Sequence, residues 1–202
     1  MADASDQKDT LLKRIAELEH EINIREGNLI HDVLTGLKTL AFFEEELDMY
    51  LSIIANTSTS RRKEWFGFKN MSIMFFDVDD FKSLNNTHGQ EAGDTVLKKI
   101  AQIINESVRE GDTVARWGGE EIVTILLGSS ESNAREKADT IRKKIEELTF
   151  GFDQERRITV SVGVVSTDVG NSSKDLFNRV NKALYKAKMT GKNKVIAFSD
   201  IR

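Results

Sequence analysis

Leu11, Ile15, Leu18 and Ile22 step along the chain by four, three and four residues, with Glu and Lys between them. That is the a/d spacing of a coiled coil, and it predicts a helix over about residues 8–30 whose register falters at Arg25. Residues 1–7 are small and polar and read as a loose end. The helix suits a dimerising stalk; a short surface helix docked on its own domain is the alternative. His31 to Leu37 then breaks the pattern with Asp32 and Gly36. Leu40, Phe43, Leu47, Tyr50, Leu51 and Ile54 return at helical spacing and predict a second helix. Residues 56–70 are rich in Ser, Thr, Asn and basic groups and predict a long exposed loop, with Trp65, Phe66 and Phe68 inside it.

Beyond that loop, apolar runs alternate with amphipathic stretches. Ile73-Met74-Phe75-Phe76 predicts a buried strand ending in Asp77-Val78-Asp79-Asp80. Gly93 to Val108 carries Val96, Leu97, Ile100, Ile103, Ile104 and Val108 on one helical stripe. Thr113-Val114-Ala115 and Ile122 to Leu127 flank Gly118-Gly119, the short-range signature of a tight hairpin whose turn needs φ > 0. A further helix turns Ala134, Ala138, Ile141, Ile145 and Leu148 inward. Ile158 to Val165 is a continuous β-branched strand, as expected of a sheet covered on both faces. Leu176, Phe177, Val180, Ala183 and Leu184 mark the last long helix, and Val195 to Phe198 a final strand. The prediction is an α/β (α+β sandwich-like) domain, a central sheet wrapped by helices, over residues 31–202, with residues 1–30 as an N-terminal helical appendage.

Composition narrows the picture. At 202 residues the chain holds one ordinary domain plus that appendage. Charged residues make up 31% and the formal net charge is -4, which is not the balance of a nucleic-acid binder or of a disordered chain. There is no cysteine, so disulfides and thiolate metal sites are excluded, and the cytoplasmic setting expected of the chain is compatible with that. The longest apolar runs are strand-sized, too short to cross a bilayer, and no signal-peptide pattern opens the chain.

The candidate chemistry gathers at the hairpin. Glu120 and Glu121 follow the Gly-Gly pair on the outgoing strand, where alternation aims them in different directions. Asp77 ends a buried strand, the usual place for functional groups in open α/β sheets. If the hairpin lies beside that strand, three carboxylates converge, with raised pKa values unless a divalent cation neutralises them. Oxygen ligands without His or Cys favour Mg²⁺ or Mn²⁺, whose shells are completed by water and substrate phosphate. Lys82 stands near the start of a short helix, where backbone N–H groups also favour anions. Lys182, Lys186, Lys188, Lys192 and Lys194 cluster near the C-terminus, mostly as a solvated face. Lys188 and Lys192, bracketing Gly191, are the pair best placed for phosphates. Asn85 and Asp94 together could read a guanine edge, the carboxylate accepting from N1–H and N2–H₂. Separately, Asn85 could be a helix terminator and Asp94 an N-cap or first-turn acid.

At this point the residues resemble a known family. Asp32-Val-Leu-Thr-Gly-Leu37, Phe76-Asp-Val-Asp-Asp-Phe-Lys82 with Asn85, Gly93-Asp94, Arg116-Trp-Gly-Gly-Glu-Glu-Ile122, Thr159-Val-Ser-Val-Gly163 and Ala183-Leu-Tyr-Lys-Ala-Lys188 with Gly191-Lys-Asn193 resemble the diguanylate cyclase (GGDEF) family over roughly residues 31–200. The resemblance implies a fold like the palm of nucleotide cyclases and polymerases. It also implies condensation of two GTP into cyclic di-GMP and two pyrophosphates across a homodimer, by two-metal phosphoryl transfer. By position it makes Asp77, Glu121 and the Val78 carbonyl ligands of two Mg²⁺ or Mn²⁺ per site. Glu120 becomes the acid that approaches the metals and helps deprotonate the attacking 3′-OH. Asn85 and Asp94 become guanine readers, and Phe81, Lys82, Lys188 and Lys192 substrate contacts.

Arg109-Glu110-Gly111-Asp112 resembles the family's Arg-x-x-Asp inhibitory product site, where an arginine grips cyclic di-GMP; a surface ion pair at a turn is the plainer reading. The chain departs from the family at Ile122 for Phe, Gln90 for His, Lys38-Thr39 for Asn-Arg and Lys192 for Arg. Glu120 in place of Asp is a frequent variant, and no departure removes a ligand or reader. Two other functions stay open: a catalytically silent cyclic di-GMP receptor signalling through the stalk, and an enzyme of relaxed base choice.

Overall fold

A computed structural model of the protein describes residues 30–59, 68–167 and 171–201, together with Arg14. The expected stalk helix and the Trp65-Phe66 pair therefore lie almost wholly outside the described residues. The elements run α1 (Leu40–Thr59), β1 (Met71–Val78), α2 (Phe81–His88), α3 (Gln90–Ser107), β2 (Thr113–Gly118), β3 (Glu121–Leu127), α4 (Glu131–Glu146), β4 (Val160–Ser166), α5 (Ser173–Met189) and β5 (Val195–Ala197), with a closing 3₁₀ turn (Phe198–Ile201). The strands form one mixed sheet in the order β2-β3-β1-β4-β5. Only β4 and β5 run parallel; the other pairs are antiparallel.

Side-chain alternation assigns each face its helices. Met74, Phe76, Val78, Ile122 and Leu126 point to the face covered by α2, α3 and α4, where Leu84, Ile100, Ile104, Ala138 and Ile141 are buried. Ile73, Phe75, Val123 and Ile125 point to the face covered by α1 and α5, against Phe43, Leu47, Leu176, Val180 and Leu184. β1 is buried along its whole length, as its uninterrupted apolar run requires of a central strand. α5 opens on a capping box between Ser172 and Asp175, and α4 on Ser130, which accepts from Asn133 N.

Gly163 fixes how close α5 comes. A Cβ at this position would stand 2.4 Å from the Val180 carbonyl oxygen and 2.6 Å from Leu184 N. The helix therefore lies directly on β4. Lys188, one turn beyond Leu184 on the same helix face, is carried over the end of β1.

Three sequence-based expectations shift. The stretch over 56–70 is not one loop: α1 continues through Thr59, while Phe68 packs edge-on against Tyr50 and Asn70 Nδ2 donates to the Ser129 carbonyl ahead of β1. α3 begins at Gln90 behind Gly89, so Gly93 and Asp94 lie inside the helix and Asp94 neither caps it nor sits in its first turn. The hairpin turn falls on Gly119-Glu120 rather than on the two glycines. A bulge between Arg116 and Gly118 takes up one residue, and Gly118 pairs with Glu121. Gly119 supplies the positive φ, 47°, and Glu120 becomes a turn residue at the tip rather than the first residue of the outgoing strand.

Candidate active site

The hairpin does lie beside β1. Asp77 is registered directly opposite Glu121, so the two carboxylates share the α5 face at neighbouring positions. Asp77 is buried and Glu121 half-buried. Burial raises the Asp77 carboxyl above the usual carboxylate range; Lys188 pulls it down, while Glu120 and Asp79 push it further up. Glu121 is likewise raised, first by burial and then by Asp77, with Lys188 opposing. The pair therefore lacks positive charge in its ground state. Lys188 supplies part of it: its Nζ sits 2.6 Å from Asp77 Oδ2.

These are the features of a cation site. Two carboxylates held face to face, both raised first by burial and Glu121 further by Asp77, and capped by an ammonium, fit a hard divalent ion. The fit is made by a pair: among the described residues no group of three or more His, Cys, Asp or Glu is gathered closely enough to hold a metal. Glu120, at the turn, acts on both carboxylates through its field, and its carbonyl accepts from Val78 N at 3.4 Å.

A second group of candidate residues meets where α2 packs on α3. Asn85 Oδ1 is buried with no hydrogen-bond partner among the described residues. It lies where Gly93 leaves room, for a Cβ there would meet it at 1.9 Å and Phe81 Cζ at 3.0 Å. A buried acceptor without a donor marks a place for a ligand N–H. Phe81, Asn85 and Gly93 thus meet at one spot, with half-buried Asp94 next in sequence. Lys82 is exposed on the first turn of α2, whose N-cap Asp80 adopts a left-handed conformation. Lys192 Nζ reaches Asp80 Oδ1 at 2.6 Å. Gln90 is exposed at the start of α3.

Arg109 and Asp112 stand at the other end of the hairpin, about 20 Å from its tip at one strand length. Asp112 is nearly buried and accepts from Leu127 N at 3.0 Å and Arg109 N at 3.1 Å, so it ties the base of the hairpin together. The Arg109 side chain is 70% exposed and donates to the Leu127 carbonyl at 3.1 Å.

Two residues with no assigned role hold the hairpin tip. Arg116 donates from Nε and Nη2 to the Gly119 carbonyl, at 3.1 and 2.8 Å, and from Nη1 to both Asp32 oxygens at 3.2 Å. Asp32 also accepts from Thr35 N and Oγ1 at 2.8 and 2.6 Å, closing the turn that leads into α1. Half of this signal was present in the sequence: an Asp three residues before a Thr reads as a side-chain-capped turn, but nothing in the sequence pairs that Asp with an Arg 84 positions away.

A family model described as diguanylate cyclase, GGDEF domain, matches residues 29–194. Diguanylate cyclase A of Treponema denticola is 36% identical over 197 residues, covering 95% of this chain and 51% of that protein. Among solved structures, the coiled coil and GGDEF domain of DgcB from Caulobacter crescentus, in complex with c-di-GMP, superposes with a TM-score of 0.81 over 98% of this chain and 100% of that one. At 24% identity that likeness speaks for the fold alone. The DgcB GGDEF domain by itself, also with c-di-GMP, gives 0.75 at 28% identity, covering 84% and 96%. The chain spans about half the length of the first curated relatives it matches, 51% and 43%. Among the described residues no helix is long and apolar enough to cross a membrane.

Proposed function

This chain belongs to the diguanylate cyclase, GGDEF-domain family, and on that footing we propose that it condenses two GTP into cyclic di-GMP and two pyrophosphates. The observation that carries the reading is the Asp77–Glu121 pair, registered across two strands and capped by Lys188. Family members work with a divalent metal. Asp77, Glu121 and the Val78 carbonyl, with Glu120 close by, would hold two Mg²⁺ or Mn²⁺. Bound there, the cations lower the charge on the α-phosphate and on the departing pyrophosphate.

The chain's own residues do the rest. Glu120, on the turn and outside the strand pair, accepts the proton of the attacking 3′-OH. The orphaned Asn85 Oδ1 accepts from the guanine amino group, and Asp94 accepts from N1–H and N2–H₂. Facing the N1 acceptor of adenine, the same carboxylate would be repelled, which selects GTP. Phe81 walls this pocket, and Lys82, Lys188 and Lys192 neutralise the triphosphate, Lys188 turning from Asp77 to phosphate as substrate arrives. Each chain offers one guanine pocket, so a homodimer brings two GTP face to face, and the helix over 8–30 joins the dimer. Residues 1–30 are the appendage and 31–202 the catalytic unit, working in the cytoplasm. Exposed Arg109, steadied by Asp112, grips cyclic di-GMP and makes the Gly-Gly-Glu-Glu-Ile enzyme product-inhibited.

Purified protein incubated with GTP and Mg²⁺, its nucleotides resolved by chromatography, tests the reading. Wild type is expected to yield cyclic di-GMP, Glu120→Gln none, and Arg109→Ala the same product with inhibition relieved. No product at high protein concentration, alongside tight cyclic di-GMP binding, would replace the enzyme with a receptor.

A further inference from the structure

After α5 the chain turns through Gly191, Lys192 and Asn193 with φ of 111°, 59° and 46°. Two successive residues bearing side chains in the left-handed region need their surroundings to hold them there. The surroundings are specific. Asn193 N donates to Asp79 Oδ2 at 3.0 Å, and Lys192 N to the Ala187 carbonyl at 3.1 Å. The Asn193 side chain is gripped on both sides: Oδ1 accepts from Arg142 Nη1 at 2.7 Å, and Nδ2 donates to Glu146 Oε1 at 2.9 Å. Arg142 is itself fixed by Asp139 and Glu146 and is 11% exposed. Asp79 completes the clamp, accepting from Thr159 Oγ1 and Ser161 Oγ, each at 2.7 Å.

This set joins α4, β4, the β1–α2 loop and the α5–β5 turn. Among the described residues none of its side chains hydrogen-bonds to Asp77 or Glu121, and the Asp79 carboxylate is taken up by Thr159, Ser161 and the Asn193 backbone N–H. What the set determines is the backbone of Lys192, and with it the place of Nζ at Asp80 over the start of α2. We infer that Asn193, locked by Arg142 and Glu146 and anchored on Asp79, is a positioning residue that presents Lys192 to the nucleotide triphosphate. The inference rests on the GTP reading above and adds to it the device that aims one of its cations.

A double-mutant cycle on GTP binding tests it. Calorimetry in the Glu120→Gln background leaves the nucleotide unconsumed, and melting temperatures confirm that each variant is folded. Asn193→Ala is expected to weaken GTP binding about five-fold or more. In a Lys192→Met background the same change should weaken it less than about two-fold, because the residue acts through Lys192. Asn193→Gly, which accepts the positive φ but lacks the amide, should behave like the alanine variant and serves if that one fails to fold. Equal weakening in both backgrounds, or none in either, would overturn the positioning role and leave the GTP reading intact. A Glu120→Gln parent that binds no GTP would overturn both.

Discussion

At the scale of single residues, the site is assembled at some cost to the fold. Asp77 and Glu121 hold protons more readily in the folded chain than in the unfolded one, burial being the largest cause for each. A carboxylate with a raised folded pKa counts against the fold as pH climbs past its unfolded value, and the penalty is complete above the folded value. At neutral pH the pair is therefore a liability that Lys188 only partly relieves. Glu121→Gln is expected to raise the melting temperature in metal-free buffer at pH 7 by roughly 2–4 °C, after allowing for the solvent that reaches this half-buried group. Cyclic di-GMP synthesis by that variant should fall by on the order of 10² or more. Added Mg²⁺ should raise the melting temperature of wild type more than that of the variant. A variant that melts lower than wild type without metal would show the pair to be structural cement instead. Stability and function oppose each other here, as they do at many active sites.

At the scale of elements, two joints set the geometry. Gly163 lets α5 rest on β4, so Gly163→Ala must push the helix backbone away. The expected loss is about 1–3 kcal/mol, read in urea midpoints, with GTP turnover falling as Lys188 moves off Asp77. The other joint is Arg116 between Asp32 and the hairpin turn. Burial disfavours the Asp32 charge, but hydrogen bonds from the Thr35 side chain and backbone, and then Arg116, outweigh it and leave the carboxyl below its ordinary value of 3.8. A lowered carboxylate stabilises the fold above its unfolded value, and the contribution is lost as pH falls through the lower, folded one. Asp32→Asn should be less stable than wild type by about 1.5 kcal/mol at pH 7. The gap should close in urea titrations carried below about pH 4. A gap that stays constant into strong acid would mean that the Asp32 charge contributes nothing.

Much of this level was legible in the sequence, because helix stripes and β-branched runs report burial directly. Leu176, Val180 and Leu184 on α5, or Ala138 and Ile141 on α4, sit in the core as their spacing required. The one-residue slip of the hairpin was not legible, since a bulge at Trp117 depends on the strand it pairs with. The start of α3 was misplaced for a related reason: Gly93 looks like a helix boundary until Asn85 is seen to need the space where its side chain would be. Arg116, Asp32, Asp79 and Asn193 escaped assignment because their partners are far away in sequence, and a list of residues does not reveal who faces whom.

At the scale of the whole molecule, the proposed reaction sets a requirement that one chain cannot meet. The guanine site proposed around Asn85, Gly93 and Phe81 would serve one GTP, while the product contains two guanosine units. If each chain brings one nucleotide, synthesis per chain must rise with protein concentration until the dimer saturates. At low concentration, doubling the protein should about quadruple the rate, because the active species forms by mass action. The a/d positions Leu11 and Leu18 give this dependence a handle outside the catalytic unit. Replacing both with Glu places like charges in the proposed seam, where neither can be buried. The midpoint of the concentration curve should then move upward by at least about ten-fold, while the rate at saturating protein stays close to that of wild type. Sedimentation velocity on the same samples should show the dimer receding in step with the rate. A rate strictly proportional to protein down to the lowest measurable concentration, with a monomer in the ultracentrifuge, would mean that both nucleotides are handled within one chain. The guanine site proposed between α2 and α3 would then have to be joined by a second.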